Sequence, residues 1–427
     1  TRYWRDWSSD VCSSDLSETI TVHPAKLNTR LTARVFASVA RRASASAVFA
    51  VAAFASVGIA TSRKVAACPV ASGQAASGQA ASGKDGQEKG FEQAKDPKLD
   101  WQWERLPSIP NTVGVASPFA GVSHGVLLVA GGANFPDKKP WEGGTKVWHD
   151  AVFALDSATS KWRTIGRLAR PLAYGVSATW KDRVLCVGGS DAQRHYADCF
   201  SLTIRDSELT IEPLPSLPTP IANACGAIVD GVFILAGGLE QPDAPQCSAM
   251  VWGLDMNSEK PTWKRFADLP ASPRMLATAV AHRNRFMILG GVELVKGADG
   301  KPVRKYLRDC WEYELAEHEG LAEREGLSAS EGKGVWTRID DLLETLAASP
   351  SPAMSTSEGV WVLGGDNGSQ VGRSPESHRG FSKSMHKLDS VHGGWRLVED
   401  TIPAPRVTVP LVEWEGGWVI PSGEEKP

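Results

Sequence analysis

Polar residues that could exchange protons with a ligand follow a recurring glycine motif in this chain. Five of six such positions contain a carboxylate. Like charges disfavour joint ionisation, so clustered carboxylates raise one another's proton affinity, and a carboxyl group titrating near neutral pH can act as a general acid or base. The residue pairs that follow the six motifs are Ala133-Asn134, Ser190-Asp191, Leu239-Glu240, Val292-Glu293, Asp366-Asn367 and Glu424-Glu425.

Basic and amide side chains accompany these carboxylates. In the segments that lead into the repeats they are Arg170, Asn223, Arg274 and Arg406. A guanidinium can bind a carboxylate through two parallel hydrogen bonds, so Arg194, in SDAQRHY, and Arg274 are candidates for holding an anion. The whole set predicts a pocket for a small polyhydroxylated ligand, anionic or neutral. The further substrate-binding candidates are Asn134, Tyr174, Asp191, Glu240, Glu293 and Asp366.

Each of these residues also has a structural interpretation. A polar residue after a glycine pair can simply solvate its loop or bond its own backbone. Tyr174, in LAYGVS, is either a packed aromatic beside a channel or a substrate contact. The histidines His149, His195 and His378 lack the spacing of metal ligands, so neither a metal site nor a cofactor is predicted. Most of the cysteines are expected to be inert apolar residues, with one disulfide left open.

The elements that carry these residues repeat along the chain. Buried strands ending in glycine recur as LLVAGG, LCVGG, ILAGG, MILGG, WVLGG and WVIPSG, with spacings of 57, 49, 53, 74 and 58 residues. An alternating strand precedes each copy. A period near 50 is typical of kelch repeats, in which each repeat forms one four-stranded blade of a β-propeller. The outer-strand tryptophans are Trp162, Trp263, Trp336 and Trp395.

Six repeats predict an all-β, six-bladed kelch-type propeller over residues 97–427. The sixth repeat has only two strands before Pro427, so the rest of its blade must come from elsewhere. The segment LDWQWERLPSIP, residues 99–110, has the pattern of an outer strand with a proline turn. We therefore expect this N-terminal segment to pair with the C-terminal blade and close the ring.

The segments outside the repeats have other predicted roles. Residues 1–16 resemble a sequence artefact. Residues 17–68 resemble an export signal, with arginines before an apolar run, which predicts a periplasmic or secreted protein without a membrane span. The VAAC ending at Cys68 also resembles a lipoprotein signal. Residues 69–96 form a low-complexity linker. Residues 314–334 are expected to be a solvated insertion, and residues 367–383 a lid over the pocket.

Charge composition excludes one class of partner. The chain has 46 Lys and Arg against 49 Asp and Glu, a formal net charge of -3. No basic field is available to bind nucleic acid or an anionic membrane surface. A small-molecule ligand is therefore favoured, and the oligomeric state is left open.

Two segments carry a family resemblance. SPFAGVSHGVLLVAGGANFPDKKPWEGGTKVWHDAVFALD and LAYGVSATWKDRVLCVGGSDA resemble the cyclically permuted mutarotase family. This resemblance implies a cofactor-free mutarotase or epimerase that interconverts sugar anomers, with N-acetylneuraminate, a sialic acid, as the favoured substrate. It also implies that Glu424, in SGEEKP, is the catalytic carboxylate. The family segment continues to an arginine that this sequence lacks, so either the sequence is incomplete or another loop binds the anion.

A non-catalytic propeller is the competing interpretation. Many kelch propellers only bind carbohydrates or proteins, and a fold does not define a function. Acidic residues and arginines gathered at the central pocket would favour the enzyme. An exposed apolar or basic patch on the same face would favour the binding module.

Overall fold

The computed structural model describes residues 19–24, 101–111, 113–315, 334–389, 393–398 and 401–425. Within these ranges the chain forms β-strands, one 3-10 turn at Pro140–Glu142 and no α-helix. No helix capable of spanning a membrane occurs among these residues. The strands form six four-stranded antiparallel sheets and one small hairpin. The predicted all-β, six-bladed propeller is confirmed.

The blades follow one another along the chain. The first two strands are β1 (Thr19–Pro24) and β2 (Trp101–Leu106). The next six are β3 (Phe119–Ser123), β4 (Val126–Ala130), β5 (Ala133–Asn134), β6 (Val147–Trp148), β7 (Ala151–Leu155) and β8 (Arg163–Arg167). Strands β5 and β6 form the small hairpin, and the other four form blade one. Blade two comprises β9 (Val176–Trp180), β10 (Arg183–Val187), β11 (Cys199–Arg205) and β12 (Glu208–Leu214).

The remaining blades repeat this plan. Blade three comprises β13 (Cys225–Val229), β14 (Val232–Ala236), β15 (Val251–Asp255) and β16 (Trp263–Arg265). Blade four comprises β17 (Thr278–His282), β18 (Arg285–Lys296), β19 (Pro302–Glu314) and β20 (Val335–Ile339). Blade five comprises β21 (Met354–Thr356), β22 (Gly359–Leu363), β23 (Met385–Asp389) and β24 (Trp395–Val398). Blade six comprises β25 (Val412–Trp414) and β26 (Gly417–Ile420), together with β1 and β2.

Hydrophobic clusters fill the six interfaces between neighbouring blades. Between blades one and two, for example, Leu128 shares a cluster with Val184 and Cys186. The second strand of each blade is buried on both faces, as the burial of β4 and β14 shows. A strand of this kind reads as a continuous apolar run, which is why these strands dominate the repeat pattern. Each blade is therefore stabilised mainly by its two neighbours.

Tryptophans at the outer strands tie four of the blades, one, three, four and five, to the preceding one. The indole Nε1 of Trp162 donates to the carbonyl of Pro107 at 2.7 Å, and that of Trp263 donates to Pro215 at 2.8 Å. Trp336 and Trp395 donate in the same way, to Ala267 at 2.9 Å and to Asp340 at 2.8 Å. Burying an indole is favourable when its N–H finds a partner. The tryptophan and the proline turn of the repeat thus form one inter-blade contact.

A ring of six backbone hydrogen bonds surrounds the central channel. Each N–H in the ring donates to the carbonyl of the equivalent residue in the preceding blade, with N to O distances of 2.7–3.1 Å. All six residues have positive φ, between 45° and 63°. The ring closes because the bond from Ser117 reaches Thr408. Its members, in chain order, are Ser117, Tyr174, Asn223, Leu276, Ala348 and Thr408.

Blade six is completed by two N-terminal strands rather than one. The predicted outer strand, β2, pairs with β1, and β1 pairs with β26, with Ile20 opposite Ile420. The expectation that residues 17–68 lie outside the fold is therefore wrong for residues 19–24. Ile20 and Val22 are buried, and alternate with threonines, so the TITV segment has the period of a β-strand. Cleavage after residue 68 would remove β1 from the blade.

The other predictions for the N-terminal region and one insertion lie outside the described residues. They concern residues 1–16, the rest of 17–68 with Cys68, and the linker 69–96. The solvated insertion predicted at 314–334 is described only at its two ends. The five cysteines between residues 186 and 310 are all buried and free, and burial raises the pKa of their thiols.

Candidate active site

The glycine pairs place the residue that follows them against the start of the same blade. Glu424 forms a two-way backbone bridge with Val407, with N to O distances of 2.9 and 3.0 Å. Gly423 has a φ of 115°, and a Cβ there would lie 3.1 Å from the Cβ atoms of Arg406 and Val409. Glycine is therefore required at this turn. The same bridge recurs in all six blades, from Ala133 in blade one to Asp366 in blade five.

Only the first residue after each glycine motif forms the backbone bridge to the start of its own blade, and this decides which side chains reach the pocket. Successive residues of an extended chain point in opposite directions. The first residues are Ala133, Ser190, Leu239, Val292, Asp366 and Glu424, of which only the last two carry a carboxylate. The prediction that five of six loops supply a carboxylate to the pocket is therefore wrong: two neighbouring blades, five and six, supply one each.

Glu424 is the most deeply buried carboxylate of the site. Its residue is 4% exposed, and burial raises the pKa of its carboxyl to about 7, because desolvation disfavours the charged form. The positive charges of Lys146 and Arg304 oppose this rise, and the negative charge of Asp366 adds to it. A group that titrates here can both accept and donate a proton at neutral pH.

Arg304, Tyr306 and Asp366 line a pocket together with Glu424. The Tyr306 hydroxyl donates to Asp366 Oδ2 at 2.6 Å, and the N–H of Gly368 donates to Asp366 Oδ1 at 2.9 Å. Arg304 and Tyr306 lie on β19, which extends with β18 beyond the rest of blade four. A long hairpin of blade four thus brings a guanidinium and a phenol to the carboxylates of blades five and six.

The segment 367–383, predicted to be a lid, contributes to the same pocket. Its Gln370, Val371, His378 and Phe381 lie in the pocket wall with Glu424. The rings of His378 and Phe381 meet edge to face, with centroids 5.7 Å apart. This segment therefore forms part of the wall around Glu424, and its role as a lid stays a prediction.

Lys146, whose charge acts on Glu424, is in contact with Tyr174. Lys146 Nζ donates to the Tyr174 hydroxyl at 2.5 Å. The same ammonium lies over the rings of Phe135, Trp148 and Tyr174, at 5.5, 5.8 and 4.9 Å from their centroids. Cations are attracted to aromatic faces, so these rings hold the ammonium in place. Tyr174 is 2% exposed and belongs to the hydrogen-bonded ring.

Two predicted anion-binding arginines lie elsewhere. Arg274 is fully buried, and its guanidinium bonds Asp309 at 2.7 and 3.1 Å and the carbonyls of Ser272 and Gly290, both at 3.0 Å. It braces blade four. Arg194 is exposed, and its guanidinium lies over the ring of Tyr196. Neither arginine lines the pocket of Glu424.

Asp191 and Asn134 form hydrogen bonds with protein groups near them. Asp191 accepts hydrogen bonds from the N–H groups of Gln193 and Arg194 and from the Tyr196 hydroxyl. Burial raises the pKa of Asp191, but these hydrogen bonds outweigh it, and the net shift is downward. Asn134 donates to Gly114 at 2.6 Å and to Asn111 at 3.1 Å, and its Oδ1 lies 2.8 Å from His149 Nε2. Both serve loop structure.

Glu240 and Glu293 also lie away from Glu424. Glu240 is exposed. Glu293 is paired with Lys305 at 3.0 Å and lies within β18, not in a loop as predicted, because the strand continues through a bulge after Leu289. Of the predicted site residues, the structure therefore gathers Glu424 and Asp366, whereas Tyr174 lines a different pocket with Ser117 and Asn223.

Three residues of the site were missed by sequence analysis. Arg304 and Tyr306 lie in KPVRKYLRDC, whose alternating pattern predicts a strand and gives no sign that it reaches the channel. Lys146 lies in GGTKVW, within the stretch that carries the family resemblance. In the part of the chain that the structure describes, no group of His, Cys, Asp or Glu side chains is arranged to hold a metal ion.

Comparisons with known proteins match parts of this chain. A family model for N-acetylneuraminate epimerase matches residues 63–211. The predicted family resemblance is confirmed. The N-acetylneuraminate epimerase of Salmonella typhi is 39% identical over 129 residues, 27% of this chain and 33% of that protein. The Yersinia enterocolitica enzyme of the same name is 37% identical over 114 residues, 23% of this chain and 28% of that protein.

These sequence matches cover only part of this chain and part of each relative. The chain spans about a third of the length of the curated relatives it matches. Lys146 and Tyr174 lie within the matched residues, whereas Arg304, Asp366 and Glu424 lie beyond them. A solved structure described as "Structure of YjhT" has a TM-score of 0.53 at 13% identity, covering 72% of this chain and 89% of that one. It shares the fold.

Proposed function

We propose that this protein is a cofactor-free isomerase that interconverts the anomers of a sugar acid, with N-acetylneuraminate as the favoured substrate. The observation that carries the proposal is Glu424, a buried carboxyl whose pKa is about 7, in a pocket bounded by Arg304 and Asp366. The names of the similar proteins support the substrate.

The chemistry needs only proton transfer. A base removes the proton of the anomeric hydroxyl, the bond between the anomeric carbon and the ring oxygen breaks, and the ring oxygen takes up a proton. Rotation of the open chain and closure on the other face complete the exchange. Glu424 can act as the base in its ionised form and return the proton on closure, because both forms are populated near pH 7.

The charges around Glu424 favour an anionic sugar. Arg304 lines the pocket, and the ammonium of Lys146 lies close enough to act on the same carboxyl. A guanidinium matches the geometry of a carboxylate, so Arg304 takes the role that Arg194 and Arg274 cannot fill from their positions.

The test is the rate of exchange between α and β N-acetylneuraminate, measured by NMR at pH 7 with and without the protein. Wild type should accelerate the exchange, and Glu424→Gln should lose about 100-fold or more of that acceleration, since a positioned acid–base group contributes about that factor. Glu413→Gln, an exposed glutamate on the β25–β26 hairpin, is the matched control and should keep the full rate.

A neutral aldose measured in parallel tests the substrate class. Faster exchange of the neutral sugar than of N-acetylneuraminate would contradict the sugar-acid assignment. Absence of acceleration for either sugar by wild type, with ligand binding still visible as line broadening, would overturn the isomerase and leave the non-catalytic binding propeller.

A further inference from the structure

We propose that Glu344 is a positioning residue of the site: its carboxylate contacts the chain at both ends of the segment 367–383 and so fixes the pocket wall that this segment forms beside Glu424. Glu344 does not itself line that pocket. The inference rests on the proposed function, and it assigns substrate affinity to a carboxylate that the proton transfers do not use.

Glu344 lies on the segment that connects blade four to blade five, between β20 and β21. Its Oε2 accepts a hydrogen bond from Asn367 Nδ2 at 2.8 Å, and its Oε1 lies 3.3 Å from His386 Nε2. Asn367 is the first residue of the segment 367–383, and His386 lies on β23, three residues beyond the last. One carboxylate therefore contacts the chain where the segment leaves blade five and where it returns.

The surroundings of Glu344 make these contacts strong ones. His386 is fully buried, and the side chain of Glu344 is 32% exposed. The neighbouring His386 lowers the pKa of the Glu344 carboxyl, and the hydrogen bond from Asn367 acts in the same direction, so the group is ionised at neutral pH. A hydrogen bond to an ionised acceptor is stronger than one between neutral groups. The ionised carboxylate thus anchors Asn367 firmly.

Hydrogen bonds lead from Asn367 to the pocket wall. The N–H of Ser369 donates to Asn367 Oδ1 at 3.0 Å. The next residue, Gln370, lines the pocket, and its Oε1 accepts a hydrogen bond from the N–H of Arg379 at 3.0 Å. The position of Asn367 is therefore coupled to Gln370 and, through Arg379, to the second half of the segment.

The carboxylates of the site are held by other contacts. Asp366 is bridged through its backbone to the start of blade five, and its side chain accepts hydrogen bonds from the Tyr306 hydroxyl and the Gly368 N–H. None of these bonds involves Glu344. Loss of the Glu344 carboxylate should therefore shift the wall that the segment forms and leave Asp366 and Glu424 in place.

Glu344→Ala tests the assignment through the difference between its effects on KM and on kcat. Contacts that the substrate and the transition state make equally well change KM and leave kcat unchanged. We expect KM for N-acetylneuraminate to rise about tenfold, since losing a hydrogen bond to a charged group costs about that factor, with kcat within about threefold of wild type. A purely structural role would lower the unfolding temperature and leave KM unchanged.

The matched control is Asp341→Ala. Asp341 lies three residues before Glu344 on the same connecting segment, and its partners are Arg338 at 2.9 Å and Arg308 at 3.6 Å, both of blade four. The variant removes an acidic side chain from the same connection without touching the segment 367–383. Its KM should stay within about twofold of wild type, because exposed ion pairs contribute little. Thermal unfolding of both variants checks that they are equally folded.

A double-mutant cycle connects the effect to the contact with Asn367. Asn367→Ala removes the same hydrogen bond, so KM of the double variant should be close to that of Asn367→Ala alone. Effects on KM that multiply would show that the two residues act separately, and would overturn the inference. If Glu344→Ala does not fold, Glu344→Gln replaces it in the cycle: it keeps an oxygen acceptor for Asn367 and loses the charge, so KM should rise by a smaller factor.

Amide hydrogen exchange tests the positioning without a substrate. Exchange within residues 367–383 should be at least about tenfold faster in Glu344→Ala than in wild type, and unchanged in Asp341→Ala. If wild type is active but KM and hydrogen exchange of Glu344→Ala match those of wild type, the inference is wrong and the proposed function stands. If wild type gives no acceleration, the proposed function fails, and unchanged hydrogen exchange in Glu344→Ala would overturn the inference as well.

Discussion

Burial of Glu424 affects the stability of the folded protein as well as the chemistry of the carboxyl. The carboxyl has an ordinary pKa of 4.5, and burial raises it to about 7 in the folded protein. Between these two values the unfolded chain ionises the group while the folded protein keeps it protonated. The folded state binds more protons, so the free energy of unfolding falls as pH rises through this interval.

This predicts a stability difference between wild type and Glu424→Gln that depends on pH. From pH 4 to pH 8, wild type should lose roughly 3 kcal/mol of unfolding free energy relative to the variant, which cannot ionise. Urea unfolding of both proteins at the two pH values measures the difference. A difference that stays constant across this range would mean that the carboxyl is not desolvated.

The sequence predicted individual site residues only where their position relative to the glycine motif places them in the pocket. Asp366 was found because it directly follows a glycine motif, and Glu424 because SGEEKP also carries the family resemblance. Asp191 was chosen on the glycine motif although it lies one residue further along. Counting residues from the glycine would have separated Glu424 and Asp366, which are first after the motif, from Asp191, which is second. Arg304 could not be found in this way, because its approach to Glu424 depends on the length of the β18–β19 hairpin.

At the scale of elements, strand β1 does more than fill a gap in blade six. It pairs on one edge with β26 and on the other with β2, so it connects the C-terminal strands to the predicted outer strand. Val22 is fully buried and shares a cluster with Trp361 and Leu363 of blade five. The five other blades and β2 follow from the repeat pattern, whereas β1 lies in a segment with no copy of the glycine motif.

Val22→Asp should destabilise the protein strongly. An unpaired charge placed in the interface between blades five and six costs free energy because it loses its hydration, and we expect roughly 3 kcal/mol or more. Thermal or urea unfolding measures this loss. Gln102→Asp, on an exposed position of β2 opposite His23, is the control and should be close to neutral. Equal stability of the two variants would show that β1 is not part of the blade.

Among the residues that the structure describes, the ring of blades has no terminal blade with a single neighbour. Six blades give six hydrophobic interfaces, and the last one, between blades six and one, is filled by residues such as Val412, Val419 and Leu127. In an open array the terminal units have one neighbour and can unfold separately. Here every blade has two neighbours, so the loss of one blade removes two interfaces.

We therefore expect the propeller to unfold in one transition, even when one blade is weakened. In Val22→Asp the tryptophan fluorescence and the far-UV circular dichroism should both lose their native values at the same, lowered, urea concentration. An early separate transition in one of these signals would show that blade six unfolds on its own.

The ring of six backbone hydrogen bonds has a consequence for how the binding specificity of such a protein could be altered. In the ring, each N–H donates to its partner carbonyl around the channel, so these six donors are used within the ring. Hydrogen-bond donors at this level of the axis must then come from side chains. Substituting Asn223, Leu276 or Ala348 changes what the channel offers while the backbone partners remain the same. The backbone at the centre of the propeller is thus held by the ring, and the six side chains of the ring residues are the parts that substitution can change.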